Sequence, residues 1–415
     1  MRPDCSAVVL GAARTPFGRR GGALSAWHPV DLSAQVLAGL LAGVGAAGEL
    51  VDDVIWGCTT QVGAQAGNIA RRAALAAGWP EQVPGATVDR HAVSSAQAVH
   101  WAAQAVASGA QDLVVAGGVE VTSRVPLGAA LAQPATGKPF GRLLSARYGA
   151  GAGLPPPGLV AEEVARRWAL GRAALDAFTA GSYRKAEAAQ RRLASFILPV
   201  PAVPPSPPPV PGAAAGATDV PVLAKPARAE GSAVISRDEN VGRRPRRAEL
   251  AALSPAYVDG GVVTAANMAA EGDGAGAVLV ARPATARALR LEPRARLVAF
   301  ATAGASPDIW PLAAVPAALR ALSCARLRVG DVARWHVLES SAAAVLAWSA
   351  EMGVALERVN REGGALASTA PTGAVGAALF VAAVAGLVED PSGPVVVCGA
   401  GEGGVGTACV LAPAS

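Results

Sequence analysis

Residues 91–95 read His-Ala-Val-Ser-Ser and stand between an apolar run and an alanine-rich stretch, 94–108, of helical spacing. A tight turn that feeds a helix N-terminus is a good place for a nucleophile. The helix dipole and its free N–H groups favour a thiolate over a thiol. This turn carries no cysteine. Ala92 stands at its tip, and a methyl group neither ionises nor takes an acyl group. Three other side chains there could do chemistry. His91 can titrate near neutral pH, but as a general base it needs a substrate proton within reach. Its plainer role is that of a polar residue closing a strand. Ser94 and Ser95 carry hydroxyls, and both are expected to shape and cap the helix start rather than attack a substrate.

Further candidates lie in the last quarter of the chain. His336 sits two residues before Leu338, so in a strand both point to one face. A core histidine with its hydrogen bonds satisfied is the plain alternative to a catalytic one. Cys398 has no adjacent base in sequence and reads as a buried, inert thiol. If His91, His336, Glu339 and Cys398 converge on one pocket, lyase, hydrolase or isomerase chemistry becomes open to them.

The elements that must position these residues repeat a grammar. Segments 94–118 and 372–401 each run from a small-residue start through an alanine-rich helix and a glycine turn to an apolar strand ending in glycines. Such continuous apolar strands are buried on both faces, as in parallel sheets covered by helices. Segments 51–61 and 329–341 each place a short apolar strand before a polar turn. The pattern predicts a duplicated α/β fold. Between the halves, 161–192 has helical spacing. The proline run at 199–217 is too poor in donors for helix or sheet and is expected to be extended or disordered, a tolerated surface insertion. Residues 262–282 return to strand and helix patterning.

With 415 residues the chain is long enough for two or three domains, and half of it is apolar. A net charge of +5, not gathered in any long basic run, argues against a nucleic-acid partner. Five scattered cysteines without a CxxC pair, and four histidines, give neither a disulfide framework nor a metal cluster. No basic and apolar leader opens the sequence, so a cytoplasmic location is expected. The charge-free stretch 363–388 is interrupted by Pro371 and glycines, and its unbroken apolar part, 374–388, is short of the ~20 residues a membrane span needs. It is expected to be a buried helix, with no membrane partner.

Several ordered blocks resemble the thiolase family of acetyl-CoA acetyltransferases and acyl-CoA thiolases. They include "AARTPFGRRGGAL", "QVGAQAGNIARRAALAAGWPEQVPGATVDR", "QDLVVAGGVEVTSRVPLG", "TAANMAAEGDGAGAVLV", "VNREGGALASTAPTGAVGA" and "CGAGEGGVGTACVL". The resemblance implies two βαβαβ halves in α/β/α/β/α layers with an inserted loop domain. The halves are expected at 1–121 plus 262–283 and at 284–415, with the loop domain at 122–261. It implies CoA or acyl-CoA as ligand, no separate cofactor or metal, and a homodimer or a heterodimer with a thiolase-like subunit.

The same resemblance implies four catalytic groups, and this chain departs at most of them. The nucleophilic cysteine corresponds to Ala92. The histidine of the Gly-His-Pro turn corresponds to Ala370, and the asparagine of the Asn-Glu-Ala turn to Leu338. The acid/base cysteine corresponds to Cys398 or, allowing for two extra residues before Gly406, to Ala400. Glu339 matches the family glutamate and is expected to hydrogen-bond structurally. In the stretch 306–317, Trp310 and Leu312 add bulk where the family lines its acyl pocket. Arg142 and Arg147 remain in the region that would hold CoA. These departures lead to two expectations. The first is a protein without cysteine-dependent thiolysis or condensation, acting as a non-catalytic partner or scaffold of an active subunit. The alternative is a repurposed acyl-CoA-binding acyltransferase, or another CoA-ester enzyme, using a different set of residues.

Overall fold

A computed structural model describes residues 7–132, 137, 139–148, 154–204 and 233–414. Twelve strands appear among them: β1 (Ala7–Arg14), β2 (Gly18–Arg19), β3 (Asp53–Gly57), β4 (Gly85–Val88), β5 (Leu113–Val121), β6 (Val200–Pro201), β7 (Val234–Ile235), β8 (Gly272–Ala281), β9 (Ala295–Gly304), β10 (Arg334–Val337), β11 (Val395–Gly401) and β12 (Val405–Ala412). Twelve helices accompany them: α1 (Pro29–Val44), α2 (Ile69–Ala76), α3 (Ser94–Ser108), α4 (Arg142–Tyr148), α5 (Pro157–Arg167), α6 (Arg172–Leu193), α7 (Arg247–Ala252), α8 (Pro283–Ala288), α9 (Ala314–Ala325), α10 (Ala342–Met352), α11 (Ala365–Ser368) and α12 (Val375–Glu389).

Ten strands form one sheet in the order β10-β11-β12-β9-β1-β8-β5-β3-β4, with β2 added on β8. The two halves meet where β1 pairs with β9 over Ala7–Leu297, Val8–Arg296 and Val9–Ala295. Only β3 with β4 and β5, and β10 with β11, are parallel. The sheet is therefore mixed, not parallel. An apolar run such as β5 reports that both faces are covered; it does not report strand direction.

Alternation along the strands assigns each side chain to a layer. In β5, Leu113 and Val115 join the core under α1 and α2, while Val114 and Ala116 join the layer that holds α3 and α12. In β11, Val395 and Val397 face that same central layer, and Val396, Cys398 and Ala400 face the outer core packed by α9 and α10. Helices outside, sheet, central helices, sheet and helices outside make up a layered α/β arrangement.

The central helices approach closely because glycines and alanines line them. A Cβ on Gly376 would lie 2.6 Å from the Ala96 amide, and one on Gly118 would lie 2.1 Å from the Gly373 carbonyl oxygen. Apart from Glu389 at its end, α12 is free of charge and is buried on nearly all sides between the two halves of the sheet, as its sequence predicts. Among the described residues no helix is long and apolar enough to cross a membrane. The helical pattern of 161–192 is cut in two. Ala169 adopts φ 52°, and Leu170 N–H closes on the Ala165 carbonyl, ending α5 before α6 begins. At the start of the proline-rich run, Val200 and Pro201 pair with Ile235 and Val234. Its residues from 205 onward lie outside the described residues.

Candidate active site

The turn before α3 is fixed by its own polar groups. His91 N–H donates to Asp89 Oδ1 at 2.8 Å, and His91 takes φ 50°. Ser94 Oγ donates to the His91 carbonyl at 2.6 Å and accepts from Arg90 N–H at 2.8 Å. Ser95 Oγ accepts Ala377 N–H from α12 at 2.9 Å. Neither serine caps α3: the N-cap position is Val93, with no side-chain bond to the helix. The expectation of serine caps is thus corrected. Ser94 ties the turn back on itself, and Ser95 ties the two halves together.

Ala92, Leu338 and Ala370 come from three distant segments and all three belong to or pack against the central apolar cluster. Leu338 is buried, whereas Ala92 and Ala370 are half-buried. Leu338 N–H donates to the Cys398 carbonyl at 3.0 Å. A Cβ on Gly399 would lie 2.8 Å from Leu338 Cβ and 3.2 Å from Val93 Cγ1, so the end of β11 closes over the same spot. Thr369, just before Ala370, is held at φ 85°, an unusual conformation for a β-branched residue and one that concentrates at functional loops.

The remaining candidates do not share one pocket. Cys398 lies on the opposite face of β11, is fully buried, and has its thiol pushed up by that burial. Ala400 shares that face. His91 sits against Gly401, whose added Cβ would lie 2.7 Å from His91 Cβ. His336 lines a separate cavity, with Nδ1 3.6 Å from Glu362 Oε2. Burial lowers its pKa, and Glu362 opposes that shift. Glu339 is buried and accepts from Ser182 Oγ (2.8 Å), Asn360 Nδ2 (2.8 Å) and Leu366 N–H (3.2 Å). Burial raises its pKa, and these bonds oppose the rise.

Trp310 and Leu312 are buried in the outer core. Arg142 and Arg147 are exposed on α4, with Arg147 stacked over Tyr148. Among the described residues no group of three His, Cys, Asp or Glu could hold a metal.

Two residues that hold this site were not picked out in the sequence. Glu120, fully buried at the end of β5, accepts from Thr59 N–H, Thr60 N–H, Gln65 Nε2, Thr372 Oγ1 and Gly373 N–H at 2.7–3.2 Å. Asn360 bonds both polar groups of Val337 and also Glu339, which fixes the approach to Leu338. The available signal for Glu120 was a carboxylate set in the apolar run "LVVAGGVEV".

His100, buried in α3 and stacked on Phe300 at 5.7 Å, gives the site a pH signature. Burial and then Arg90 lower its pKa from 6.5 to about 3. The folded state therefore holds it neutral. Its stability contribution is complete above pH 6.5 and is lost as pH falls from 6.5 toward 3. From pH 6.5 to 5 the loss is about 2 kcal/mol. His100→Phe should flatten that part of the profile by about this amount in urea unfolding at pH 7 and pH 5. An unchanged slope would show that His100 does not carry it.

The chain matches the thiolase N-terminal domain over residues 7–203 and 214–284 and the thiolase C-terminal domain over 291–412. It belongs to the thiolase family. It is 36% identical to a steroid 3-ketoacyl-CoA thiolase of Mycobacterium tuberculosis over 90% of this chain and 86% of that protein. It is 33% identical to a β-ketoadipyl-CoA thiolase of Acinetobacter baylyi over 96% and 97%. The crystal structure of human mitochondrial 3-ketoacyl-CoA thiolase superposes with a TM-score of 0.83 at 25% identity, covering 99% of both chains.

These relatives overturn the expectation of a non-catalytic partner or scaffold. They match along nearly the whole chain and are named for thiolase activity. The expectation of no thiolysis falls with it. Both rested on three loop positions, whereas the match extends over the whole framework that presents those loops.

Proposed function

We propose that this chain is an acyl-transfer enzyme acting on CoA thioesters, and that it works without an acyl-cysteine at the turn before α3. The family and the names of its relatives support the reaction class and CoA esters as substrates. One observation carries the second half of the proposal: the three loop positions packed on the central apolar cluster are Ala92, Ala370 and Leu338, none of which can hold an acyl group or take a proton. A covalent route needs a nucleophile with a base beside it. Cys398 faces the other core and stays protonated through burial. The CoA thiol then attacks the C3 ketone of the bound 3-ketoacyl-CoA directly, the C2–C3 bond breaks, and the departing acetyl-CoA carbanion takes up the proton the thiol gives up; the enzyme contributes mainly the proximity and orientation of the two substrates.

Initial rates with CoA and a series of 3-ketoacyl-CoA esters test both halves. A sequential rate pattern, with no acyl adduct in the intact mass, is expected. A ping-pong pattern or a stable adduct would overturn the absence of an acyl-enzyme. No turnover with any ester of the series would overturn the reaction class.

A further inference from the structure

A cavity of about 600 Å³ lies between α6, α12 and the segment 236–241, and Ala92, Leu338 and Ala370 do not line it. Two buried polar side chains reach its wall without being satisfied. Glu362 is 4% exposed and His336 2% exposed. Neither carboxylate oxygen of Glu362 has a hydrogen-bond partner, and neither does His336 Nε2. His336 Nδ1 faces Glu362 Oε2 at 3.6 Å, which leaves Nε2 as an acceptor. Two guanidinium groups lie near Glu362 without hydrogen-bonding it: Arg334, and Arg192, whose Nε stands 3.9 Å from Oε1 while its Nη1 is bound to Glu389 at 2.7 Å; both Nε atoms are unpaired. A buried carboxylate left in this state is costly, and a buried acceptor pair calls for donors.

Above these acceptors the walls are apolar, from Ile197, Val375 and Leu379. Arg191 and Arg237 also line the cavity. Both are exposed, and neither guanidinium has a hydrogen bond or ion pair among the described residues. The lining therefore combines buried acceptors, apolar side chains and two exposed cations.

We propose that this cavity binds a small ω-amino carboxylate. Its ammonium would lie against Glu362 and His336, its methylene chain between the apolar walls, and its carboxylate toward Arg191 and Arg237. An ammonium supplies three donors to the buried acceptors and neutralises the carboxylate. A guanidinium fork matches a carboxylate in shape and charge.

Calorimetric titration of the full chain with 4-aminobutanoate, 6-aminohexanoate and 8-aminooctanoate tests this. At least one should bind, and the unsubstituted fatty acid of equal length should bind at least tenfold more weakly. Glu362→Gln should weaken the best ligand at least tenfold. Ala382→Phe, which fills the cavity without touching a polar group, should abolish binding. The proposal is overturned if none of the three binds, or if the fatty acid binds equally well. It is also overturned if a folded Glu362→Gln variant keeps wild-type affinity. Should that variant not fold, undiminished binding by Ala382→Phe overturns it.

Discussion

Glu120→Ala should lower the unfolding free energy by about 3–5 kcal/mol, the scale of a buried charged network that loses its central partner. The carboxylate takes five donors. Thr59, Thr60 and Gln65 belong to the first half, and Thr372 and Gly373 belong to the loop that follows Ala370. Truncation strands those donors, of which Thr60, Gln65 and Gly373 are buried. Each buried donor without an acceptor costs about 1–3 kcal/mol. The sum is less than additive, because the 372–373 loop can shift. That shift is itself the second expected effect, since Ala370 sits two residues before Thr372. Glu120→Gln keeps the shape and one acceptor oxygen and should lose clearly less. Urea unfolding of the three proteins decides the matter. A loss below about 1 kcal/mol for Glu120→Ala would mean that the Glu120 network adds little to what the β1–β9 pairing, the Ser95 bond and apolar packing already supply.

The periodicities of the sequence carried much of the fold. The strict alternation in β5, β11 and β12 follows from a sheet covered on both faces, and the nearly charge-free α12 follows from its position between the two halves of that sheet. Strand direction was not legible, because an apolar run looks the same in either pairing. The parity of β11 could have been read: Cys398 and Ala400 share one face and Val397 takes the other, so either alignment sends the side chain to the same core. The partners of Ser94 are local, His91 and Arg90, but the partner of Ser95 was beyond reach. Ser95 receives its hydrogen bond from Ala377, 282 residues away, and no local rule announces that neighbour. Glu120 is the same case on a larger scale, because its donors come from two segments, 59–65 and 372–373, that lie far apart in the chain. That Ala92, Leu338 and Ala370 all pack on one central cluster is likewise a tertiary fact. What the sequence displayed was the identity of three residues; what it could not weigh was how much of the surrounding framework persists around them.

That framework permits a direct reconstruction. On the background of Ala92→Cys, adding Ala370→His should raise the rate of acetoacetyl-CoA thiolysis by about 10²–10⁴, the usual worth of a positioned general base. A thiol at residue 92 would gain from the α3 N-terminus, but residue 92 packs against an apolar cluster, as do residues 338 and 370. Burial among such neighbours holds thiols protonated in this chain, as at Cys58 and Cys409. A histidine on the 369–373 loop approaches from the same central layer and offers an acceptor for the proton. The pH–rate profile then distinguishes chemistry from repacking. The double variant should acquire a limb in the histidine range and react faster with iodoacetamide at pH 7 than Ala92→Cys does. Adding Leu338→Asn places a hydrogen-bond donor on the third segment and should increase the rate again, because stabilising a developing oxyanion is a separate contribution from activating the thiol. Equal rates for Ala92→Cys and Ala92→Cys/Ala370→His would show that the 370 side chain does not reach residue 92, and that the acyl-transfer route of this chain is arranged around other atoms.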